Sequence, residues 1–167
     1  MAPVKVGDKL SPDTPVWAQS AGGGTTLGAL FGGKRVVLVG FPGAFTGTCT
    51  GTHLPTFVDA WKDGSLKAAG FDACAALAPD TGPVMTAWGE ATGATAAGLE
   101  VLGDANQAYM KAVGLGPLDW AEHFMGPGRM SRHAIVLDDL TVTWTALEDG
   151  GACTKSLAAD VIAGAGK

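Results

Sequence analysis

The sequence predicts an α/β domain: a central mixed β-sheet flanked by helices on both faces. Two apolar runs, Lys34 to Phe41 and Phe71 to Leu77, lack polar alternation, as strands covered on both sides do. Segments of helical spacing separate and follow them, and near the C-terminus two alternating runs flank Asp138-Asp139 as in a hairpin. The 167 residues suit one core, and no linker or internal repeat divides them, so one domain is expected over 1–167.

Residues 1–25 read as an irregular start punctuated by Pro3, Pro12, Pro15 and a Gly22-Gly23-Gly24 turn, with a short strand at Val16-Trp17-Ala18. Thr26 caps a short helical turn over Leu27 to Phe31, which Gly32-Gly33 ends. After the first strong strand, Leu54, Phe57, Val58 and Trp61 recur with helical spacing, which predicts a helix over about 45–63 that Pro55 must kink. Pro83 to Thr92 reads as a helix with Val84, Trp88 and Ala91 on one side, Gly98 to Leu102 as a short strand, and Asn106 to Val113 as a helix that Gly114 stops. Pro117 to Arg129 is a loop or short helix. His133 to Leu137 and Leu140 to Leu147 form the hairpin, with Leu140 where glycine would fit better. A last helix is expected over about 154–163. Strand, helix, strand, helix, hairpin and closing helix is a thioredoxin-like order.

Composition excludes several classes. Net charge is −5 and no basic run occurs, so nucleic acid is a poor partner. No stretch approaches the roughly 18 apolar residues of a membrane span. The N-terminal residues Met1 to Asp8 show neither a signal-peptide core nor an Arg/Ser-rich transit segment, so a cytoplasmic protein is expected. Cys49, Cys74 and Cys153 are an odd number without C-x-x-C spacing, which is neither a secreted disulfide framework nor a zinc ribbon.

The most informative stretch is Pro42-Gly-Ala-Phe-Thr-Gly-Thr-Cys49-Thr-Gly-Thr-His53-Leu-Pro55. A buried strand ends at Pro42-Gly43, a hydroxyl-rich turn follows, and Cys49 then opens a helix. Aligned peptide dipoles and unpaired N–H groups in a first helical turn favour negative charge. Such placement lowers a thiol pKa from about 8.5 into a range of about 3.5–7.5, which makes thiolate.

Pro42, Thr46 and Cys49 also fit the peroxiredoxin pattern of Pro, three residues, Thr, two residues, Cys. With Pro-Gly-Ala-Phe-Thr before the cysteine and His53-Leu54-Pro55 after it, the string resembles the type-5 (plant type II) branch, except that Gly47 stands where that family usually has proline. The resemblance extends over nearly the whole chain. It implies a thioredoxin-like fold and a thiol peroxidase without metal or organic cofactor, acting on hydrogen peroxide and alkyl hydroperoxides. Regeneration by thioredoxin, or by glutaredoxin with glutathione, is implied as well. A monomer or non-covalent homodimer is expected, with Phe45, Trp88 or the 117–127 loop as interface candidates by likeness to dimeric relatives. Trp88 and Trp120 are otherwise read as packing residues.

Within this reading Cys49 is the nucleophile, which becomes a sulfenic acid on attacking peroxide. Thr46 reaches the thiolate or the peroxide with its hydroxyl, or caps the helix. Pro42 shields the thiolate and fixes the turn. Arg132, in Arg132-His-Ala-Ile-Val-Leu-Asp138, supplies positive charge from the mouth of a core strand; Arg129 is its competitor, set among glycines. His53, four residues after Cys49, shares its helical face and suits a structural hydrogen bond better than a general base; no further ligands support a metal. Two cysteines are candidates for resolving the sulfenic acid. Cys74 lies 25 residues beyond Cys49, like a second cysteine of plant-type members, on a strand that would bury it. Cys153 stands in a loop where the plant-type segment has an aromatic residue. A peroxide-sensing relay on the same fold is the competing function; a thiol–disulfide oxidoreductase lacks its C-x-x-C.

Overall fold

Arg35–Gly40 (β3) is buried at all six positions, because its alternate side chains serve two different cores. Val37 and Val39 join one apolar cluster and Val36 and Leu38 the other. The computed structural model describes residues 2–167. Among them the other strands are β1 (Pro15–Ala18), β2 (Gly23–Thr26), β4 (Ala73–Ala78), β5 (Glu100–Gly103), β6 (His133–Asp138) and β7 (Thr141–Leu147). All seven form one sheet in the order β2-β1-β5-β4-β3-β6-β7. The β3–β4 and β4–β5 pairs are parallel and the rest antiparallel, so the sheet is mixed.

Helices cover both faces. On one lie α2 (Leu54–Lys62), α4 (Gly82–Ala91), α5 (Ala94–Ala97) and α8 (Ala158–Ala165), which bury Leu54, Phe57, Trp61, Met85, Trp88 and Val161. On the other lie α1 (Leu27–Phe31) and α6 (Ala108–Val113), which bury Leu27, Phe31, Tyr109, Met110 and Val113. Each such side chain contributes about 1.5–3 kcal/mol when fully removed from water. Short helices α3 (Ser65–Ala68) and α7 (Glu122–Met125) complete the set. No helix among the described residues is long and apolar enough to cross a membrane.

Several expectations need correction. The glycine turn is half strand: Gly22 alone turns, with φ 73°, and Gly23–Thr26 pairs with β1, since backbone pairing at an edge asks little of side chains. The buried face of α4 is Met85, Trp88 and Gly89, whereas Val84 and Ala91 are exposed. Trp88 is buried within its own chain and so offers no interface surface, while Trp120 packs only in part, against Phe124, and is 42% exposed. The last helix begins at Ala158 rather than Thr154, because the Glu148 carboxylate captures the N–H groups of Thr154, Lys155 and Ser156 in a non-helical loop. The hairpin turns on Asp139 and Leu140, both at positive φ, and burial of Leu140 in the core offsets its unfavourable backbone.

Strand register assembles one end of the sheet. Gly40, the last residue of β3, pairs with His133, the first of β6, and His133 pairs with Leu147 at the end of β7. A Cβ at Gly40 would fall inside the His133 imidazole, so only glycine fits there. The segments after β3 and β4, the residue before β6 and the residue after β7 therefore converge at the carboxyl ends of the parallel strands, where open α/β sheets bind ligands.

Candidate active site

Cys49 lies in the first turn of the helix that follows β3, which begins at Gly47. Thr50 N–H makes an intrahelical bond to Thr46 O at 3.0 Å, so the N–H groups of Gly47, Thr48 and Cys49 belong to the open first turn. A π-turn occupies Cys49–His53, where Leu54 N–H bonds Cys49 O five residues back. Pro55 explains it: the ring would collide with the carbonyl of Gly51 in a regular helix, and one wider turn relieves the clash. The kink expected from Pro55 thus takes the form of a π-turn just after the cysteine. Trp88 Nε1–H donates to Thr50 Oγ1 at 3.0 Å and ties this turn to α4.

Cys49 is only 2% exposed, and Arg132 Nη2 donates to its Sγ at 3.5 Å. Arg132 immediately precedes β6 and is itself buried. Its Nε donates to Ala152 O at 3.1 Å and its Nη1 to His53 Nδ1 at 3.2 Å. Since Arg132 only donates, Nδ1 must accept, and the ring proton sits on Nε2, which donates to Ser156 O at 2.8 Å. Burial, reinforced by the neighbouring Arg132 charge and partly opposed by the Ser156 bond, lowers the His53 pKa to about 4, so the ring is neutral at pH 7. His53 also packs against Phe41 and Phe57.

Pro42 is buried two residues beyond β3, and Thr46 Oγ1–H donates to Gly43 O at 2.8 Å. The Thr46 proton is therefore engaged within the turn, and the hydroxyl's lone pairs remain to accept. Phe45 has φ 58° and is 56% exposed. Asp80, which sequence reasoning missed, and Arg129 hold this turn. Asp80, two residues beyond β4, accepts from Ala44 N–H at 2.8 Å and pairs with Arg129 at 2.8 Å. Arg129 also donates to Met125 O at 2.8 Å. Although it is set among glycines, the pairing makes Arg129 a fixed brace for the turn, while Arg132 is the arginine at the thiol. An acidic residue just past the carboxyl end of a central strand was the available signal for Asp80.

A pocket of about 350 Å³ opens over Cys49, lined by Pro42, Thr46, Arg132, Trp120, Phe124 and Met125 among others. Trp120 and Phe124 form an apolar wall, and Gly151 lies opposite, against the Trp120 ring. All three cysteines are free. Cys74 is buried in β4 beside Val37, and burial pushes its thiol pKa far up. Cys153 is half-buried in the loop whose Ala152 carbonyl holds Arg132; burial raises its pKa, and the nearby Arg132 charge opposes that rise. Among the described residues, no group of three or more His, Cys, Asp or Glu is placed to hold a metal ion.

Sheet order and a helix-borne thiol define a thioredoxin-like α/β protein. Comparison with known proteins narrows the class. The Redoxin family model matches residues 5–162. The chain is 38% identical over 166 residues to the chloroplastic peroxiredoxin-2E-2 of Oryza sativa subsp. japonica, covering 97% of this chain and 72% of that one. It is 36% identical over 164 residues to rice peroxiredoxin-2C, covering 97% and 98%. Among solved structures, reduced Prx3 of Vibrio vulnificus in complex with hydrogen peroxide superposes with a TM-score of 0.85 at 33% identity, over 96% of this chain and 94% of that one. The chain belongs to the peroxiredoxins, thiol-dependent peroxidases with a thioredoxin-like fold.

Proposed function

We propose that this peroxiredoxin reduces hydrogen peroxide and small alkyl hydroperoxides through Cys49. The observation that carries the reading is the Arg132 guanidinium, fixed at three nitrogens, with one of them 3.5 Å from Cys49 Sγ. The Cys49 thiolate attacks the terminal oxygen of ROOH. The O–O bond breaks, its electron pair leaves on RO⁻, and a proton from solvent gives ROH. Cys49, oxidised by two electrons, becomes a sulfenic acid. Arg132 stabilises the charge that grows on the departing oxygen, an interaction stronger in the transition state than in the ground state. Thr46 accepts a hydrogen bond from the hydroperoxide proton, because its own proton is held by Gly43. Pro42 excludes water from the thiolate side, and Trp120 and Phe124 give an organic group an apolar wall.

A thiol then condenses with the sulfenic acid, releasing water and forming a disulfide that a second thiol reduces. Cys153 is the better internal candidate: it shares the Arg132 neighbourhood, whereas Cys74 would have to leave the core. Thioredoxin, or glutathione with glutaredoxin, supplies the electrons. The test is NADPH-linked peroxide turnover with each donor. Cys49→Ser should abolish it, and Cys153→Ser should selectively impair the thioredoxin-linked cycle. Turnover retained by Cys49→Ser refutes the assignment.

A further inference from the structure

We propose that Glu148 is a positioning residue for the peroxide reaction, and that its carboxylate, through Ser156 and His53, fixes which edge of Arg132 faces Cys49. The inference rests on Cys49 being the reacting thiol. Glu148 follows β7 and is buried. Its backbone N–H donates to Arg132 O at 3.0 Å, which pins the main chain from which the guanidinium extends. Oε1 accepts from the N–H groups of Thr154, Lys155 and Ser156 at 2.8, 2.8 and 2.9 Å, and from Ser156 Oγ–H at 2.8 Å. These donors wrap the loop of residues 149–156 around the carboxylate.

The loop returns to the site at two points. Ala152 O takes the Nε proton of Arg132, and Ser156 O takes the Nε2 proton of His53. Every donor points the same way: Arg132 into His53, His53 into Ser156, Ser156 into Glu148. Because Ser156 O consumes the His53 proton, Nδ1 is left bare and can hold only a donor. It holds Nη1, which leaves Nη2 for the sulfur. A buried carboxylate linked by contacts to the group at the reacting thiolate would ordinarily oppose it. Here four Oε1 donors absorb the charge, and Arg132 and His53 stand between. Burial pushes the Glu148 pKa up, but the N–H and hydroxyl bonds outweigh it and the net shift is downward, so the group stays ionised. The charged or titratable groups facing His53 are Arg132, Glu148 and His133.

The test compares Glu148→Gln, His53→Phe and the double variant with the unaltered full-length chain. Phe fits the aromatic box of Phe41 and Phe57 but offers Arg132 no acceptor. Two readouts are taken well below the melting temperature: the pH profile of Cys49 alkylation by iodoacetamide, and the second-order rate with hydrogen peroxide. Each single variant should move the alkylation profile to higher pH and lower the peroxide rate about 10-fold or more. The double should be no worse than the poorer single, as one chain of contacts predicts. A role confined to stability would lower the melting temperature and leave both readouts unchanged; that result, or additive losses, overturns the inference. Should Glu148→Gln not fold, Ser156→Ala removes a single donor and should shift both readouts the same way, the rate by about 3-fold; no shift overturns the inference. Alkylation needs no turnover, so a protein inactive toward peroxide would fail the peroxidase reading while the profile still decides the relay.

Discussion

Arg132 and Cys49 are 83 residues apart in sequence, yet Nη2 of one donates to Sγ of the other at 3.5 Å in a buried setting. The contact exists because β6 runs antiparallel to β3, which sets the residue before β6 beside the segment leaving β3. It makes the guanidinium the local counter-charge of the thiol, and the planar fork decides its value: three nitrogens serve three acceptors at once.

Arg132→Lys keeps the charge and loses the fork. We expect the second-order rate with hydrogen peroxide to fall about 10²-fold, the scale of removing one preorganised donor. Stopped-flow kinetics under pseudo-first-order peroxide checks this.

Asp80 and Arg129 brace the turn that carries Pro42 and Thr46 without touching Cys49. Asp80→Ala frees Ala44 N–H and Arg129 together. The turn should loosen, lowering the peroxide rate about 10- to 100-fold, since small misplacement of reacting groups is costly. Stability should drop by about 1–3 kcal/mol for the unsatisfied groups. Peroxide kinetics and urea unfolding, taken together, measure both.

Gly47 stands where peroxiredoxins of this branch usually have proline. Its Cβ position is open, its φ is not in the left-handed region, and it begins the helix in the turn whose N–H groups are free. Proline is favoured at that point of a helix. Gly47→Pro should therefore stabilise the fold by about 0.4–1 kcal/mol by restricting the unfolded chain, read as a higher urea midpoint at unchanged slope.

Two buried neutral histidines set a pH dependence of stability. Burial is the main cause that lowers both His53 and His133 from 6.5 to about 4. Between those values the unfolded chain binds more protons than the native one, so stability is full above pH 6.5 and falls as pH drops toward 4. Each site accounts for at most about 3 kcal/mol at the low end of that window, from about 1.36 kcal/mol per pKa step. Thermal unfolding followed from pH 7 to pH 4 should show a steady fall in melting temperature, reduced in His133→Phe relative to its own value at pH 7.

The sheet and the cysteine turn were legible because their signals are local. β3 and β4 are unbroken apolar runs, and Pro42, Thr46 and Cys49 lie within eight residues. Arg132 was legible from its place before a strand. The His53–Ser156–Glu148 contacts were not, because they depend on the register of β6 on β7 and on a loop folded around one carboxylate. The start of the last helix at Ala158 rather than Thr154 was hidden in the same way, since the carboxylate wins the N–H groups of residues 154–156. The bracing role of Arg129 was hidden for a related reason: a glycine-rich neighbourhood says nothing of a partner such as Asp80, 49 residues away. Edge pairing of Gly23–Thr26 leaves no mark in a glycine run.

The most direct test of the central claim is the intact mass and peptide map of the protein after one equivalent of hydrogen peroxide, trapped with dimedone and analysed without reductant. We predict that the oxidation falls on Cys49, as a dimedone-trapped sulfenic acid or as a disulfide from Cys49 to Cys153. Peroxide consumed while Cys49 stays an unmodified thiol would contradict the mechanism.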